Sequence, residues 1–168
     1  DAATEGGVTI NGQVLATDVD DGASLSYSLT SGPAPAGLTF HPDGSYSFDP
    51  TVGAYDHLKA GATEDVVVSF KANDGTADSN VQTLTITVTG TNDLASITGT
   101  VSGSVQEATA SSVGVPTTGG VLLISDVDDS EAVFQQPASL DGVYGSFTLD
   151  TDTGVWSYQL DNSRAVTQ

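Results

Sequence analysis

Two copies of one acidic tetrapeptide, Asp18-Val19-Asp20-Asp21 and Asp126-Val127-Asp128-Asp129, each close a strand-like run, Gly12 to Thr17 and Gly120 to Ser125. Between them lies Thr89 to Ala95, Thr-Gly-Thr-Asn-Asp-Leu-Ala, which reads as the seam between two copies of one unit. A repeat of roughly 90 residues suits two small domains, with boundaries at 1–93 and 94–168 of the 168-residue chain. Two carboxylates held about 4 Å apart repel by roughly 4 kcal/mol at an effective dielectric near 20. Clusters that recur at matching places therefore need a reason. Charges splayed into water from a loop are one; a hard cation between them is the other.

The runs that flank these clusters alternate apolar and polar residues, as half-buried strands do. Leu25-Ser26-Tyr27-Ser28-Leu29 alternates cleanly, and Gln82 to Thr89 does so over its whole length with Leu84, Ile86 and Val88 directed inward. Val8 to Ile10, Val14 to Thr17, Leu38 to Phe40, Tyr46 to Phe48 and Val66 to Phe70 complete the first unit, with Asn11-Gly12 as a turn. Pro42-Asp43-Gly44 is a second turn, since Pro presets φ and Gly supplies φ > 0. Tyr55 and Leu58, in the loop-rich stretch from Pro50 to Thr63, are placed to plug the end of the core. No segment shows sustained helical spacing, so the fold class is all-β.

In the second unit Val105-Gln106-Glu107 falls where Thr4-Glu5 fell, and Ile97 to Val101 and Val121 to Ile124 are strand candidates. Phe147 and Leu149, the Asp152-Thr153-Gly154 turn, then Trp156, Tyr158 and Leu160 repeat the earlier hairpin, Trp156 taking the place of Tyr46. Nothing after Gln168 corresponds to Glu64 through Thr89. The second unit is expected to be incomplete at its C-terminus, or completed by strands from elsewhere, because a sandwich without them exposes an apolar face and open edges.

Residues i and i+2 of a strand share a face, so Asp-x-Asp can grip one ion with both carboxylates. Glu5 and Asp18 are separated by up to about 13 residues, roughly 40 Å if extended, which puts them at opposite ends of the module even with a turn between. Stacked modules would then bring base to top. The expected seam site combines Glu5, Asn92 and Asp93 with Asp126 and Asp128, and a half site at the other end of the first unit combines Asp18, Asp20 and Asp74. Oxygen ligands in such number suit Ca²⁺, which takes six to eight of them at about 2.3 to 2.6 Å.

The formal net charge of −19, from 22 acidic side chains against Lys59, Lys71 and Arg164, argues against nucleic acid as a partner, since phosphate binding needs a basic patch. No apolar run is long enough for a membrane-spanning helix, so membrane insertion is not expected. With no Cys in the chain, a metal could take the part that disulfides play in small extracellular domains. His41 and His57 stand alone, and no nucleophile, P-loop or glycine-rich phosphate motif accompanies them, so the chain is not read as an enzyme. Asp150-Thr151-Asp152-Thr153-Gly154 has the look of a Ca²⁺ loop but lacks the distal Glu and helices of an EF-hand; it reads as a hairpin turn.

Thr4-Glu5-Gly6, Ala16 to Gly22, Lys71-Ala72-Asn73-Asp74-Gly75 and Ile86 to Asp93 resemble the ordered motif set of cadherin-type repeats. Gly90-Thr91-Asn92-Asp93 followed by Ile97-Thr98-Gly99-Thr100, with Ser146 to Asp150 and Tyr158 to Asn162, is similar to the VCBS and cadherin-like repeats of large bacterial surface adhesins of the RTX type. The resemblance implies tandem Greek-key β-sandwiches of cadherin/immunoglobulin-like form, Ca²⁺ at the seams, and an extracellular location on a bacterial surface. It carries metal-ligand roles to Glu5, Asp18, Asp20, Asp74, Asn92, Asp93, Glu107, Asp126 and Asp128. Two positions depart from it. Lys59-Ala60-Gly61 stands where cadherins have an acidic motif, with Glu64 or Asp65 as a substitute, and Ser24 stands where an Asn is usual.

The function these features imply is a structural spacer, or extender, in a repetitive adhesin, stiffened by Ca²⁺ and supporting adhesion and biofilm. Its partners are neighbouring repeats of the same polypeptide, with strand completion or self-association in trans as a further possibility. The alternative is a ligand-binding adhesion module, glycan-directed or homotypic.

Overall fold

A computed structural model describes residues 1–19, 23–109, 111–161 and 163. The chain divides into two compact units, Asp1–Asp93 and Leu94–Gln168. Among the described residues there is no helix; both units are built from β-strands.

The first unit holds β1 (Ala2–Thr4), β2 (Ile10–Gln13), β3 (Ser26–Leu29), β4 (Leu38–Phe40), β5 (Ser45–Phe48), β6 (Thr63–Asn73) and β7 (Gln82–Thr89). They form two sheets, β1-β7-β6-β3 and β2-β5-β4. Side chains from both sheets meet in one core, with Leu38, Tyr46 and Phe48 on one side and Val66, Val68, Ile86 and Val88 on the other. Phe48, Ile86 and Val88 are fully buried. This is a β-sandwich, and the period-2 pattern of β6 and β7 explains it: Val66, Val68, Phe70 and Ala72 face in while Val67 faces water. Tyr55 and Leu58 are buried in the same core, as the loop-rich stretch suggested.

Two local expectations are corrected. Asn11-Gly12 is not a turn but the middle of β2, with Gly12 opposite Tyr46. A β-carbon at Gly12 would fall inside the Tyr46 ring, so the glycine serves close approach of an aromatic side chain rather than chain reversal. Val14 to Thr17 is not a strand either. After Gln13 the backbone leaves the ladder: Val14 N–H donates to Gly44 O at 2.9 Å, and Ala16 N–H to the Tyr27 hydroxyl at 2.8 Å. The Pro42-Asp43-Gly44 turn forms as expected, with Gly44 at φ 83° and the Asp43 carboxylate accepting from Ser45 N–H at 2.9 Å.

The second unit holds β8 (Ser96–Gly99), β9 (Thr117–Ser125), β10 (Gly145–Leu149) and β11 (Val155–Leu160) in a single antiparallel sheet, β10-β11-β9-β8. Its strands β9, β11 and β10 repeat β2, β5 and β4 in order and in register. Gly12, Tyr46 and Phe40 lie side by side in the first unit, and Gly120, Trp156 and Leu149 in the second. Among the described residues Trp156 is the single buried apolar side chain of this unit. It stacks on Phe147, ring centroids 5.6 Å apart, and its indole N–H donates to Thr100 O at 2.6 Å.

Candidate functional site

Carboxylates mark both ends of the first unit. At one end β1 runs parallel to β7, with Thr4 beside Thr89, and the chain continues so that Glu5 N–H donates to Thr89 O at 2.9 Å. Glu5 is thereby 6% exposed. Its Oε2 accepts from Thr91 N–H at 2.9 Å, which fixes a buried carboxylate beside Asn92 and Asp93. Asn92 is exposed and donates through Nδ2 to Asp93 O; Asp93 is half-buried. The two acids proposed as substitutes are engaged elsewhere in this unit: Glu64 pairs with His57 at 3.2 Å, and Asp65 accepts from the Thr87 hydroxyl at 2.7 Å.

Asp74 lies at the opposite end. It follows Asn73, the last residue of β6, whereas Thr63 at the start of β6 pairs with Thr89; the strand between spans roughly 33 Å. The Asp74 carboxylate accepts from Thr76 N–H at 2.6 Å and Ala77 N–H at 2.7 Å. These two backbone donors, Ala77 foremost, hold its pKa below the ordinary carboxylate value. Asp18 and Asp74 both line a shallow cleft of about 140 Å³ that also includes Leu25 and Asp78. Asp20 lies outside the described residues.

Sequence reasoning missed two groups that shape this end. The Tyr27 hydroxyl pins Ala16 and so sets the approach to Asp18. Asp78 is held by Lys71 Nζ at 2.5 Å and by Asn73 Nδ2 at 2.7 Å. Only the Asn-Asp-Gly signature, a marker of side chains that bond the backbone two residues on, could have pointed here.

In the second unit Asp126 follows β9 directly, and its Oδ1 accepts from Asp128 N–H at 3.0 Å. Asp128 is 2% exposed and Asp126 half-buried. Glu107 is half-buried next to Gly114, beside the bridge of Gln106 to Val115 just before β9 begins. Glu107 and Asp126 therefore flank the two ends of one strand, the polarity seen for Glu5 and Asp74. Asp150 does not join them: its Oδ1 accepts from Asp152 and Thr153 N–H, both at 3.0 Å, in a turn closed by Gly154 at φ 68°.

Within each unit these ligand candidates are divided between two ends, and among the described residues no three His, Cys, Asp or Glu side chains gather into a metal-holding group. The donors are all oxygen, which suits a hard cation, but each end by itself supplies only part of a coordination shell.

The aromatic residues on the alternating strand positions noted in the sequence do not form an open platform. Tyr27, Tyr46, Phe48 and Trp156 are all buried. His41 and His57 lie on the surface, His57 with Ala54 O at 3.1 Å from Nδ1.

An all-β chain with an immunoglobulin/cadherin-like sandwich and acidic ends is a module of a class that is, as a rule, structural rather than enzymatic. The chain belongs to the Bacterial Ig domain family, whose model matches residues 1–87. Among solved structures it is similar to protocadherin gamma B2 extracellular cadherin domains 1–5, at 12% identity and a TM-score of 0.50, over 98% of this chain and 32% of that one. Mouse cadherin-23 EC22–24 is similar at 16% identity and a TM-score of 0.44, over 95% and 51%. The protocadherin gammaB4 extracellular domain is similar at 14% identity and a TM-score of 0.47, over 91% and 24%. The chain thus spans about a quarter to a third of the length of the two protocadherin structures. No curated protein sequence matches it.

Proposed function

We propose that the chain is a spacer module of a repetitive extracellular bacterial adhesin of the VCBS or RTX kind, in which Ca²⁺ held at module ends stiffens a string of sandwiches. The cleft that Asp18 and Asp74 line together carries this proposal. Two carboxylates lining one cleft at neutral pH repel unless a cation lies with them, and Asp74 is held toward its charged form by backbone donors.

Glu5, Asn92 and Asp93 would supply ligands from the base of one module. Asp126 and Asp128, or Asp18, Asp20 and Asp74 in the first unit, would supply them from the top of another, with Glu107 as the second unit's counterpart of Glu5. The ion supplies charge neutralisation and a cross-link. The protein supplies preorganisation: Thr91 fixes Glu5, Thr76 and Ala77 fix Asp74, and Asp126 caps the amide of Asp128. The partners are neighbouring repeats of the same polypeptide. Burial of Tyr27, Tyr46, Phe48 and Trp156 favours this role over a glycan-binding one built on those rings, because a stacking platform would leave them open.

Thermal unfolding in Ca²⁺ and in excess chelator tests the proposal. Free ion at a hundredfold over its dissociation constant adds about 2.7 kcal/mol per site, so the melting temperature should rise. An unchanged melting temperature would refute it.

A further inference from the structure

Tyr27 joins the two arms that carry Asp18 and Asp74. Its side chain is 9% exposed and packs with Phe70 and Ala72. Its backbone is fixed on both sides, opposite Ala72 of β6 and through its N–H to Pro42 O at 2.8 Å. A β-carbon at Gly44 would come within 3.0 Å of the ring, so the turn at Gly44 packs directly on it. From this rigid base the hydroxyl accepts the Ala16 N–H at 2.8 Å. Ala16 stands two residues before Asp18, Ala72 stands two residues before Asp74, and all four line the same cleft. β6 runs to Asn73 and so delivers Asp74 directly; the Tyr27 hydroxyl does the corresponding service for Asp18. The cleft's other acid, Asp78, is already engaged by Lys71 and Asn73.

The second unit has the same frame without the hydroxyl. Gly154 O accepts from Leu122 N–H at 2.9 Å, as Gly44 O accepts from Val14 N–H at 2.9 Å, and a β-carbon at Gly154 would lie 3.0 Å from the Phe134 ring. Phe134 is therefore the counterpart of Tyr27, and a ring alone suffices to pack on the turn glycine. The oxygen of Tyr27 is an addition particular to the first unit, and the amide it accepts from is the one that leads to Asp18.

We propose that Tyr27 is a positioning residue for a divalent cation at the Asp18 and Asp74 end of the first unit, a role that rests on reading this end as part of a Ca²⁺ site. The hydroxyl touches no ion. It holds Asp18 at the cleft before an ion arrives, against the repulsion of the Asp74 carboxylate. The cost of ordering the 16–18 backbone is then met in folding; without the hydroxyl it falls on ion binding, and preorganisation lost is affinity lost.

Calorimetric titration of Ca²⁺ into the full chain and three variants tests this. Asp74→Asn should remove the share of Ca²⁺ uptake that belongs to this end. Tyr27→Phe keeps the ring and should weaken that share about fivefold, the worth of one net hydrogen bond. Tyr55→Phe is the control: it removes a hydroxyl that donates to Ala36 O at 2.8 Å in the main core, and it should take up Ca²⁺ as the parent does even where its melt is lowered. Amide hydrogen exchange of the parent requires no substitution: the Ala16 amide should be protected in chelator as well as in Ca²⁺. Uptake indifferent to Asp74→Asn would remove the site and the role together. Uptake that Asp74→Asn abolishes and Tyr27→Phe leaves at parental affinity, equal weakening by Tyr55→Phe, or an Ala16 amide protected only after Ca²⁺ is added would each overturn the role of Tyr27 alone.

Discussion

Glu5 Oε2 accepts a hydrogen bond from the Thr91 amide at 2.9 Å, across 86 positions of sequence. This contact joins the first residues of the unit to the segment that leaves it, and it orders a buried carboxylate at the end where an ion is proposed. A hydrogen bond to a charged group contributes more than a neutral one, and a buried donor left alone costs about 1 to 3 kcal/mol.

Glu5→Ala should therefore destabilise the first unit by about that amount in chelator. Glu5→Gln keeps an acceptor for Thr91 and should melt near the parent in chelator, yet gain less from added Ca²⁺. Paired melting curves of the two variants separate the structural role of the side chain from its charge.

Gly12 should not tolerate a methyl group. A β-carbon there meets the Tyr46 ring, and overpacking of this kind costs about 1 to 3 kcal/mol. Urea denaturation of Gly12→Ala should show a lower midpoint at unchanged slope.

These positions show what was legible in the sequence. β7 was readable to the residue because Leu84, Ile86 and Val88 alternate without interruption. Tyr27, Tyr46 and Trp156 were readable as core for the same reason. Asn11-Gly12 was misread because the same dipeptide serves turns and close approach, and what decides between them is Tyr46, distant in sequence. The end of β2 depended on the Tyr27 hydroxyl, which local pattern does not reveal. Of the ligand candidates, the separation of Glu5 from Asp18 was argued from strand length, although only Ile10–Gln13 of the run between them is strand. The partners that fix Glu5 and Asp74, namely Thr91, Thr76 and Ala77, are backbone donors that carry no side-chain signature.

Core substitutions should differ between the units. Ile86 is fully buried, and Ile86→Ala should cost about 2 to 5 kcal/mol. Leu122 is half-buried on an uncovered face, so Leu122→Ala should cost markedly less, below about 1.5 kcal/mol. Chemical denaturation followed at Tyr and Trp reports both.

The turn aspartates set the acid response. The pKa of Asp43 is lowered by the Ser45 hydroxyl and amide, that of Asp49 by the Thr51 amide and hydroxyl, and that of Asp150 by the Thr153 and Asp152 amides. A carboxyl whose folded pKa lies below its unfolded value adds stability above the unfolded value, near 3.9, and loses it as pH falls through the folded one. The melting-temperature gap between the parent and Asp43→Ala should therefore be constant from about pH 5 to 8 and close at lower pH. A gap that persists undiminished in acid would show that the charge is not what Ser45 holds.

Small-angle X-ray scattering of the chain, in millimolar Ca²⁺ and in excess chelator, bears most directly on the ion as a stiffening cross-link. Ca²⁺ should give a more extended and less flexible particle, with the change diminished by Glu5→Gln and by Asp126→Asn. Superimposable scattering curves in the two conditions would contradict it.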